Sequence, residues 1–360
     1  MNRTRLLAII VKELRQLRRD RLTFGMILGI PTMQLLLFGF AINLDIRHLD
    51  AGIVDQANTA RSRELIASLE ATDLVRLRED AHTPAELQEL IRAGRISVGV
   101  VVPADVEARL ELGDRPALQV MVDGSDQTVQ AAARQIAAIT LPGRAASTPA
   151  VEIVNFYNPG RRASINTVPG LIGVILTMTL VMFTGMALVR ERERGNLEML
   201  IATPVSAWEL TLGKILPFVA IGLVQVTVVL VLGRLVFDVP IRGSVLEVYV
   251  ASLLFICANL ALGILISTLA KSQFQAMQLA FFTFLPQILL SGFMFPYAGM
   301  PRAARWLAEI LPMTHFIRMI RGIMVRAARL SDMPMEMLAL ALIAAVLLVV
   351  STRRIHKRLD

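Results

Sequence analysis

The chain has one cysteine, Cys257. That excludes an intrachain disulfide and any paired-cysteine motif, and its position inside an apolar run marks it as a small packing residue. Histidine is almost as scarce, with four in 360 residues. His48 and His82 are the two in the polar stretch after residue 44, too few to suggest a metal cluster there. No G-x-x-x-x-G-K-[ST] occurs: Leu212–Ile215 reads LGKI, without the upstream glycine or the following hydroxyl. This route to ATP is therefore closed to the chain. Neither G-x-S-x-G nor H-E-x-x-H is present. Charged residues make up 18% of the chain, below the roughly 25% of soluble domains. Two Trp and three Tyr give a thin aromatic belt, which leaves interface anchoring to Arg and Phe. The interiors of the long apolar runs contain no Asp, Glu, Lys or Arg, and Lys214, Glu247 and Glu336 stand at edges of runs. An ion-coupled carrier needs such a group within the membrane, so transport by this chain would draw its energy from a partner. The same lack weighs against a membrane enzyme.

What the chain has is apolar length. Hydrophobic residues make up 55% of it and its mean hydropathy is +0.59, which excludes an ordinary soluble domain. Apolar runs cover 22–44, 168–189, 212–233, 246–269, 274–295 and 335–351. The uncharged stretch Leu171–Val189 alone reaches about 28 Å as a helix, close to the thickness of a bilayer core. The expected fold is an α-helical polytopic membrane protein of six spans, with an α/β domain between the first and second. Residues 22–44 are too long for a signal-peptide core and lack a small-residue cleavage site, so they read as an uncleaved first span, kinked at Pro31. Pro217, Pro286 and Gly292 mark places where later helices could flex, or ordinary kinks.

The formal net charge of +8 is unevenly spread. Residues 45–167 carry 13 Arg against 17 acidic groups, while the remainder carries 24 basic against 12 acidic. Basic residues that flank spans follow the positive-inside bias and do not point to nucleic acid. Residues 1–21 hold seven Lys or Arg, with Leu7, Ile10, Leu14 and Leu17 at helical spacing. They read as an amphipathic helix on the cytoplasmic face of the bilayer. Arg353, Arg354, Lys357 and Arg358 place the tail, 352–360, on the same side, as six spans require.

Residues 45–167 change character. AGIVD, DLVRLRE, RISVGVVVP, ALQVMVDGSD and VEIVNFYNP read as strands, with helical stretches between them. The alternation predicts a compact α/β domain outside the cytoplasm. Thr83 with Glu86 predicts a capping box. VDGSD, with Asp123, Gly124 and Asp126, reads as a turn with Asp126 as helix cap in preference to a cation loop.

The chain is organised around Gly170–Pro217, where an apolar run turns abruptly into RERERGNLEMLIATP, Arg190–Pro204. Leu197, Leu200 and Ile201 fall on one helical face with Glu198 off it. A short amphipathic helix at a membrane face, here 190–208, suits docking to a partner; the alternative is a solvated, self-paired surface. The coupling candidates are Arg190, Glu191, Arg192, Glu193, Arg194, Gly195, Glu198, Leu200, Thr203 and Pro204. Gln34, Gln225, Asn259, Gln278, Gln287 and Ser291 lie inside runs, and interhelical hydrogen bonding is their expected role. Gln225, Asn259, Gln287 and Ser291 are also candidates for a substrate path. Pro296–Pro334 should lie outside, yet it holds six Arg. Its apolar stretches predict two re-entrant helices within 299–329 whose Arg snorkel to headgroups. Pro312, Thr314, His315, Arg318 and Arg321 mark this region.

Tyr157-Asn158-Pro159, Val168-Pro169-Gly170-Leu171, RERERGNLEMLIATPV, and LPMTHFIRMIRGI from Leu311 to Ile323 together resemble the membrane subunit of type-2 ATP-binding-cassette exporters. The likeness is narrower to the bacterial drug and antibiotic-efflux branch with a large domain between the first two spans, and VDGSD is similar to that branch's pattern. The resemblance covers essentially the whole chain, through a combination of motifs each weak alone. It implies a permease that forms half of a translocation pathway with a second copy or a paralogue. A separate ATPase subunit would bind ATP and Mg, so this chain needs no cofactor and is not itself an enzyme. It further implies a bacterial inner-membrane location, a coupling helix at 190–204, a periplasmic adaptor protein as a partner of the outer domain, and amphipathic or hydrophobic cargo. The departures are Asn196 where the family commonly has Thr, His315 where it has an aromatic, and Arg318 where an acid often stands nearby. A lipid or glycan exporter shares the architecture. A membrane sensor or scaffold that signals through RERERG is the rival from another class.

Overall fold

The computed structural model describes residues 49–125, 127–137, 150–160, 162–193, 207–295 and 297–356. The surface helix expected over 1–21, the first span over 22–44 with Gln34, Asp126, and the last tail residues lie outside the described residues.

Five strands form one sheet: β1 (Leu49–Asp55), β2 (Val75–Asp80), β3 (Val98–Val102), β4 (Leu118–Asp123) and β5 (Val151–Phe156). Their order is β2-β1-β3-β4-β5, parallel throughout except for the antiparallel pair β3–β4. Helices α1 (Ala60–Glu70), α2 (Pro84–Arg92), α3 (Val106–Leu112) and α4 (Gln127–Ala137) alternate with the strands. The VGVVV run of β3 is buried along its whole length because both sheet faces are covered. Leu65, Leu69, Leu110 and Ile136 pack on one face, and Leu87 and Ile91 with Ile96 on the other. The capping box expected at Thr83 is half made. Thr83 Oγ1 accepts from the Glu86 amide, but the Glu86 carboxylate reaches the amide of His82, one residue further out. The reciprocal box forms instead at Thr59 and Ser62.

The Asn158-Pro159 turn leads the chain out of the sheet. The Asn158 side chain accepts from the Arg162 amide at 2.9 Å and donates to its carbonyl at 3.0 Å. There follow α5 (Ala163–Glu193), α6 (Ala207–Leu235), α7 (Val245–Leu269), α8 (Gln273–Leu290), the short α9 (Arg302–Glu309), α10 (Pro312–Arg326) and α11 (Pro334–His356). Among the described residues, α5, α6 from Leu216, α7, and α11 to Ser351 are long and apolar enough to cross a membrane. The run expected as a span over 274–295 is not one of these four. It forms α8, 18 residues or about 27 Å, and its glutamines Gln273, Gln275, Gln278 and Gln287 dilute its hydropathy. The helix ends at Leu290, just before Gly292 takes φ +82.

Helix α7 is the centre of the bundle and packs on α5, α6, α10 and α11. Two thirds of its apolar window (67%) is buried, against 22% in α6 and 11% in α11. Phe255 of α7 stacks on Phe316 of α10 with centroids 4.2 Å apart. Ile221, Val224, Val228 and Val231 of α6 and Leu338, Leu342 and Val346 of α11 face outward, as apolar side chains do when their solvent is lipid. Cys257 is exposed on α7 and does not pack in the core, contrary to the expectation from its apolar surroundings.

Among the described residues, four of the amides expected as interhelical links, Gln225, Asn259, Gln278 and Gln287, show no such bond. Asn259 donates to Phe255 O within its own helix, and the side-chain oxygens of Gln225, Asn259, Gln278 and Gln287 are buried without a hydrogen-bond partner. Hydroxyls make the links: Thr227 with the Tyr249 phenol at 2.6 Å, and Ser351 Oγ donating to Ala261 O at 3.0 Å.

Candidate functional site

Two polar groupings occupy opposite ends of the bundle. At the end away from the sheet, α5 runs on past its apolar stretch as Arg190, Glu191, Arg192 and Glu193. Glu193 accepts from the Gln273 backbone amide at 3.0 Å and from its side-chain Nε2 at 2.5 Å. Arg190 Nε donates to Gln273 Oε1 at 3.1 Å. Arg192 Nη1 donates to the carbonyls of Ser267 and Ala270 at 3.3 and 3.4 Å. These contacts fit the electrostatics of helix ends: a carboxylate meets the first amide of α8, and a guanidinium meets the last carbonyls of α7. The alternating charges therefore bind neighbouring helices and are not simply self-paired. Arg194, Gly195, Glu198, Leu200, Thr203 and Pro204 lie outside the described residues, as do Asn196, Leu197 and Ile201.

At the sheet end, α9 and α10 are the two short helices expected there. The α10 arginines Arg318, Arg321 and Arg326, expected to reach headgroups, meet protein acceptors. Arg318 donates to Glu309 at 2.6 Å and to Glu336 at 3.0 Å, and its guanidinium lies 4.5 Å over the Tyr297 ring. The Tyr297 hydroxyl donates to Glu309. His315 Nδ1 meets Glu336 at 2.5 Å and its Nε2 meets the Glu309 carbonyl at 2.9 Å. Both ring nitrogens face acceptors, which suits the doubly protonated imidazolium. Burial opposes that charge, but the bonds to Glu336 and to the Glu309 carbonyl outweigh it, and the His315 pKa is raised above its ordinary value. Burial alone would raise Glu309; Arg318 and the Tyr297 hydroxyl reverse this and hold its pKa below the usual carboxylate range. Two cations thus face two carboxylates within one partly buried cluster. Thr314 Oγ1 donates to Ala308 O at 2.7 Å, which ties α10 to α9, and Pro312 opens α10 at a first-turn position that needs no amide hydrogen.

Two further contacts, those of Arg321 and Arg326, help explain why this segment carries so much positive charge, and a third arginine, Arg92, reaches the segment from the α/β domain. Arg321 donates to Gly292 O at 3.1 Å. Arg326 pairs with Asp123 of the sheet at 3.0 Å, and Arg92 of α2 pairs with Asp332 at 3.0 Å. The neutralising carboxylates Asp123 and Glu336 come from outside residues 296–334, so a count within the segment misses them. The same seam encloses a cavity of about 480 Å³ whose walls include Asp123, Ser291, Arg305, Arg318, Arg321 and Glu336. Of the four substrate-path candidates, only Ser291 lines it; Gln225, Asn259 and Gln287 sit on α6, α7 and α8 away from this cavity.

VDGSD has a structural role in the described residues. Asp123 Oδ1 accepts from the Ser125 amide at 2.9 Å while its Oδ2 holds Arg326. A Cβ on Gly124 would stand 2.4 Å from Phe156 O, so a side chain there would collide with β5.

Long apolar helices around a buried α7, a charged helix end tied to two neighbours, and an α/β sheet clamped to short helices define a polytopic membrane protein of transporter type. The family model for ABC-2 family transporter proteins matches residues 21–353, and the chain belongs to that family. Escherichia coli YbhS, named a probable multidrug ABC transporter permease, is 31% identical over 335 residues, covering 89% of this chain and 88% of that protein. YbhR, with the same description, is 30% identical over 338 residues, 91% of each chain. The Dictyostelium discoideum ABC transporter G family member 20 is 24% identical over 347 residues, 90% of this chain and 46% of that protein. ABC-2 permeases work with an ATPase subunit.

Proposed function

We propose that this chain is the permease subunit of an ATP-driven exporter of amphipathic or hydrophobic compounds across a bacterial inner membrane. The observation that carries the reading is the end of α5. A membrane-length helix continues without a break into Arg190–Glu193 and ties itself to α7 and α8. A push on residues 190–208 would therefore reach three helices at once. Names given to YbhS and YbhR support the drug-like cargo class.

In this reading residues 1–21 lie on the cytoplasmic surface and 22–44 form the first of six spans, with 274–295 supplying the fifth. Residues 45–167 form an outer domain, and 168–351 hold five spans with outer helices at 299–329. Both termini are cytoplasmic. The partner ATPase binds ATP and Mg, a second permease copy or paralogue completes the pathway through the outward apolar faces, and the outer domain meets a periplasmic adaptor. Nucleotide-driven closure of the ATPase presses on Arg190–Pro204, with Glu198, Leu200, Thr203 and Pro204 at the contact. This shifts the bundle between two arrangements by as much as bound nucleotide differs in its affinity for them. Gln225, Asn259 and Gln287 offer unpartnered buried oxygens to a passing substrate.

The test is accumulation of a panel of amphipathic cationic dyes in cells that express the chain with its ATPase. Wild type is expected to lower accumulation, and Glu198→Arg to abolish that effect at equal membrane abundance. Equal accumulation with and without wild type would overturn the cargo class, and undiminished export by Glu198→Arg would overturn the coupling site.

A further inference from the structure

We infer that Gln273, the first residue of α8, is the joint through which movement of the α5 end is passed to the α7–α8 turn. The inference rests on the coupling reading above and assigns to it a residue far along the chain. Gln273 uses all of its nearby polar groups on one partner segment. Its backbone amide and its side-chain NH2 both donate to the Glu193 carboxylate, at 3.0 and 2.5 Å, and its side-chain oxygen accepts from Arg190 Nε at 3.1 Å. A side-chain amide, with separate donor and acceptor ends, satisfies a carboxylate and a guanidinium at the same time. A Glu at this position repels Glu193, a Lys repels Arg190, and an Ala meets neither.

The backbone bond matters as much as the side chain. The amide of Gln273 belongs to the first turn of α8, where intrahelical acceptors are lacking. Glu193 supplies the acceptor and places its negative charge at the positive end of the helix dipole. On the other side of the same turn, Arg192 takes the Ser267 and Ala270 carbonyls at the end of α7. The turn is held by its own bonds too: the Ser272 side chain accepts from the Gln275 amide at 3.3 Å, and Gln275 Oε1 accepts from the Lys271 amide at 2.9 Å. It therefore moves as a unit. Displacing Arg190–Glu193 drags the beginning of α8 and the end of α7 together. Helix α7 is the packed centre of the bundle and α8 leads to the Ser291–Gly292 break beside the outer cavity. Gln273 is a positioning residue: it touches neither cargo nor nucleotide.

The experiment is hydrogen–deuterium exchange on the full permease–ATPase complex in nanodiscs, without nucleotide and with ATP plus orthovanadate. In wild type, peptides over 186–193 and over 268–278 are expected to change together on trapping. In Gln273→Ala and in Gln273→Glu the response over 186–193 is expected to persist and that over 268–278 to be lost. The exchange of partners in Glu193→Gln with Gln273→Glu restores an amide–carboxylate pair, and the response over 268–278 is expected to return. A merely structural role for either residue would not give that rescue. Undiminished nucleotide response over 268–278 in both single variants overturns the inference and leaves the coupling reading standing, as does a wild-type turn that stays silent while 186–193 responds. Silence of both segments in a complex that hydrolyses ATP overturns the coupling reading, and this inference with it.

Discussion

Arg326 Nη1 donates to Asp123 Oδ2 at 3.0 Å, which joins the end of α10 to the end of β4 across 203 residues of chain. Their side chains are only 13% and 5% exposed. Gly94, at φ +74, keeps its backbone beside the same guanidinium, and a Cβ there would lie 3.1 Å from Arg326 Nη2. The pair is the most buried of the ionic ties between the sheet and the short helices. Asp123→Ala leaves a buried guanidinium uncompensated and is expected to destabilise the protein by about 3–5 kcal/mol. Asp123→Leu with Arg326→Met should cost much less than either single change. Thermal unfolding of the detergent-solubilised chain measures the two single changes Asp123→Leu and Arg326→Met and their combination, and a double-variant loss equal to the sum of the single losses would contradict a direct pairing.

Gly170 and Phe293 are in close contact. A Cβ at residue 170 would stand 2.3 Å from Phe293 Cδ2, so Gly170→Ala is expected to lower the melting temperature or force the 291–293 turn away from α5. Phe293→Ala in the same chain removes the clash and should recover part of the loss. Failure of that rescue would place the constraint elsewhere.

The His315 cluster predicts a pH dependence of stability. Glu309, Arg318, Glu336 and the Tyr297 phenol surround it. Because the folded pKa of His315 is raised above the ordinary 6.5, its contribution is fully present below that value and is lost as pH rises through the raised one. Glu309 has the opposite sign. Its folded pKa is depressed, so its contribution is present above the ordinary 4.5 and is lost as pH falls through the lowered value. Unfolding midpoints of wild type and His315→Gln should be furthest apart below pH 6.5 and converge as pH rises above it. A constant difference across that window would contradict the assignment.

Arg318→Lys is expected to behave as a loss and not as a conservative change. A single ammonium cannot reach Glu309 and Glu336 in the forked arrangement while lying flat over Tyr297. Removal of one partner from such a cluster costs roughly 3–5 kcal/mol when it is well buried. Arg318 is 29% exposed on its side chain, so the expected loss is at the lower end or below it. Calorimetry on the solubilised protein checks it.

The sheet was readable from the chain because Val and Ile runs alternate with amphipathic helices, and each of the five strands falls where such a run stands. The antiparallel turn of β4 against β3 was not readable, because a seven-residue α3 looks the same in a parallel crossover. The apolar runs after 168 mark helices well. The span expected over 274–295 shortens because Gly292 breaks it, and α9 and α10 emerge where expected but with Arg318, Arg321 and Arg326 paired within the protein. Those pairings were hidden because Glu336 reaches Arg318 from the next helix and Asp123 reaches Arg326 from the sheet. Gln273 carried no signal of its own: a glutamine after Ser272 looks like ordinary helix-start composition, and its meaning comes only from Arg190 and Glu193 folding back onto it.

In the proposed mechanism a separate ATPase pushes on the end of α5. Gentle purification from native membranes, with mass spectrometry of the copurifying proteins, tests it most directly when wild type and Glu198→Arg are compared. An ATP-binding-cassette ATPase is expected with wild type and is expected to be weakened or lost in the variant. The absence of such an ATPase from both, under conditions that keep other complexes of this kind intact, would contradict it.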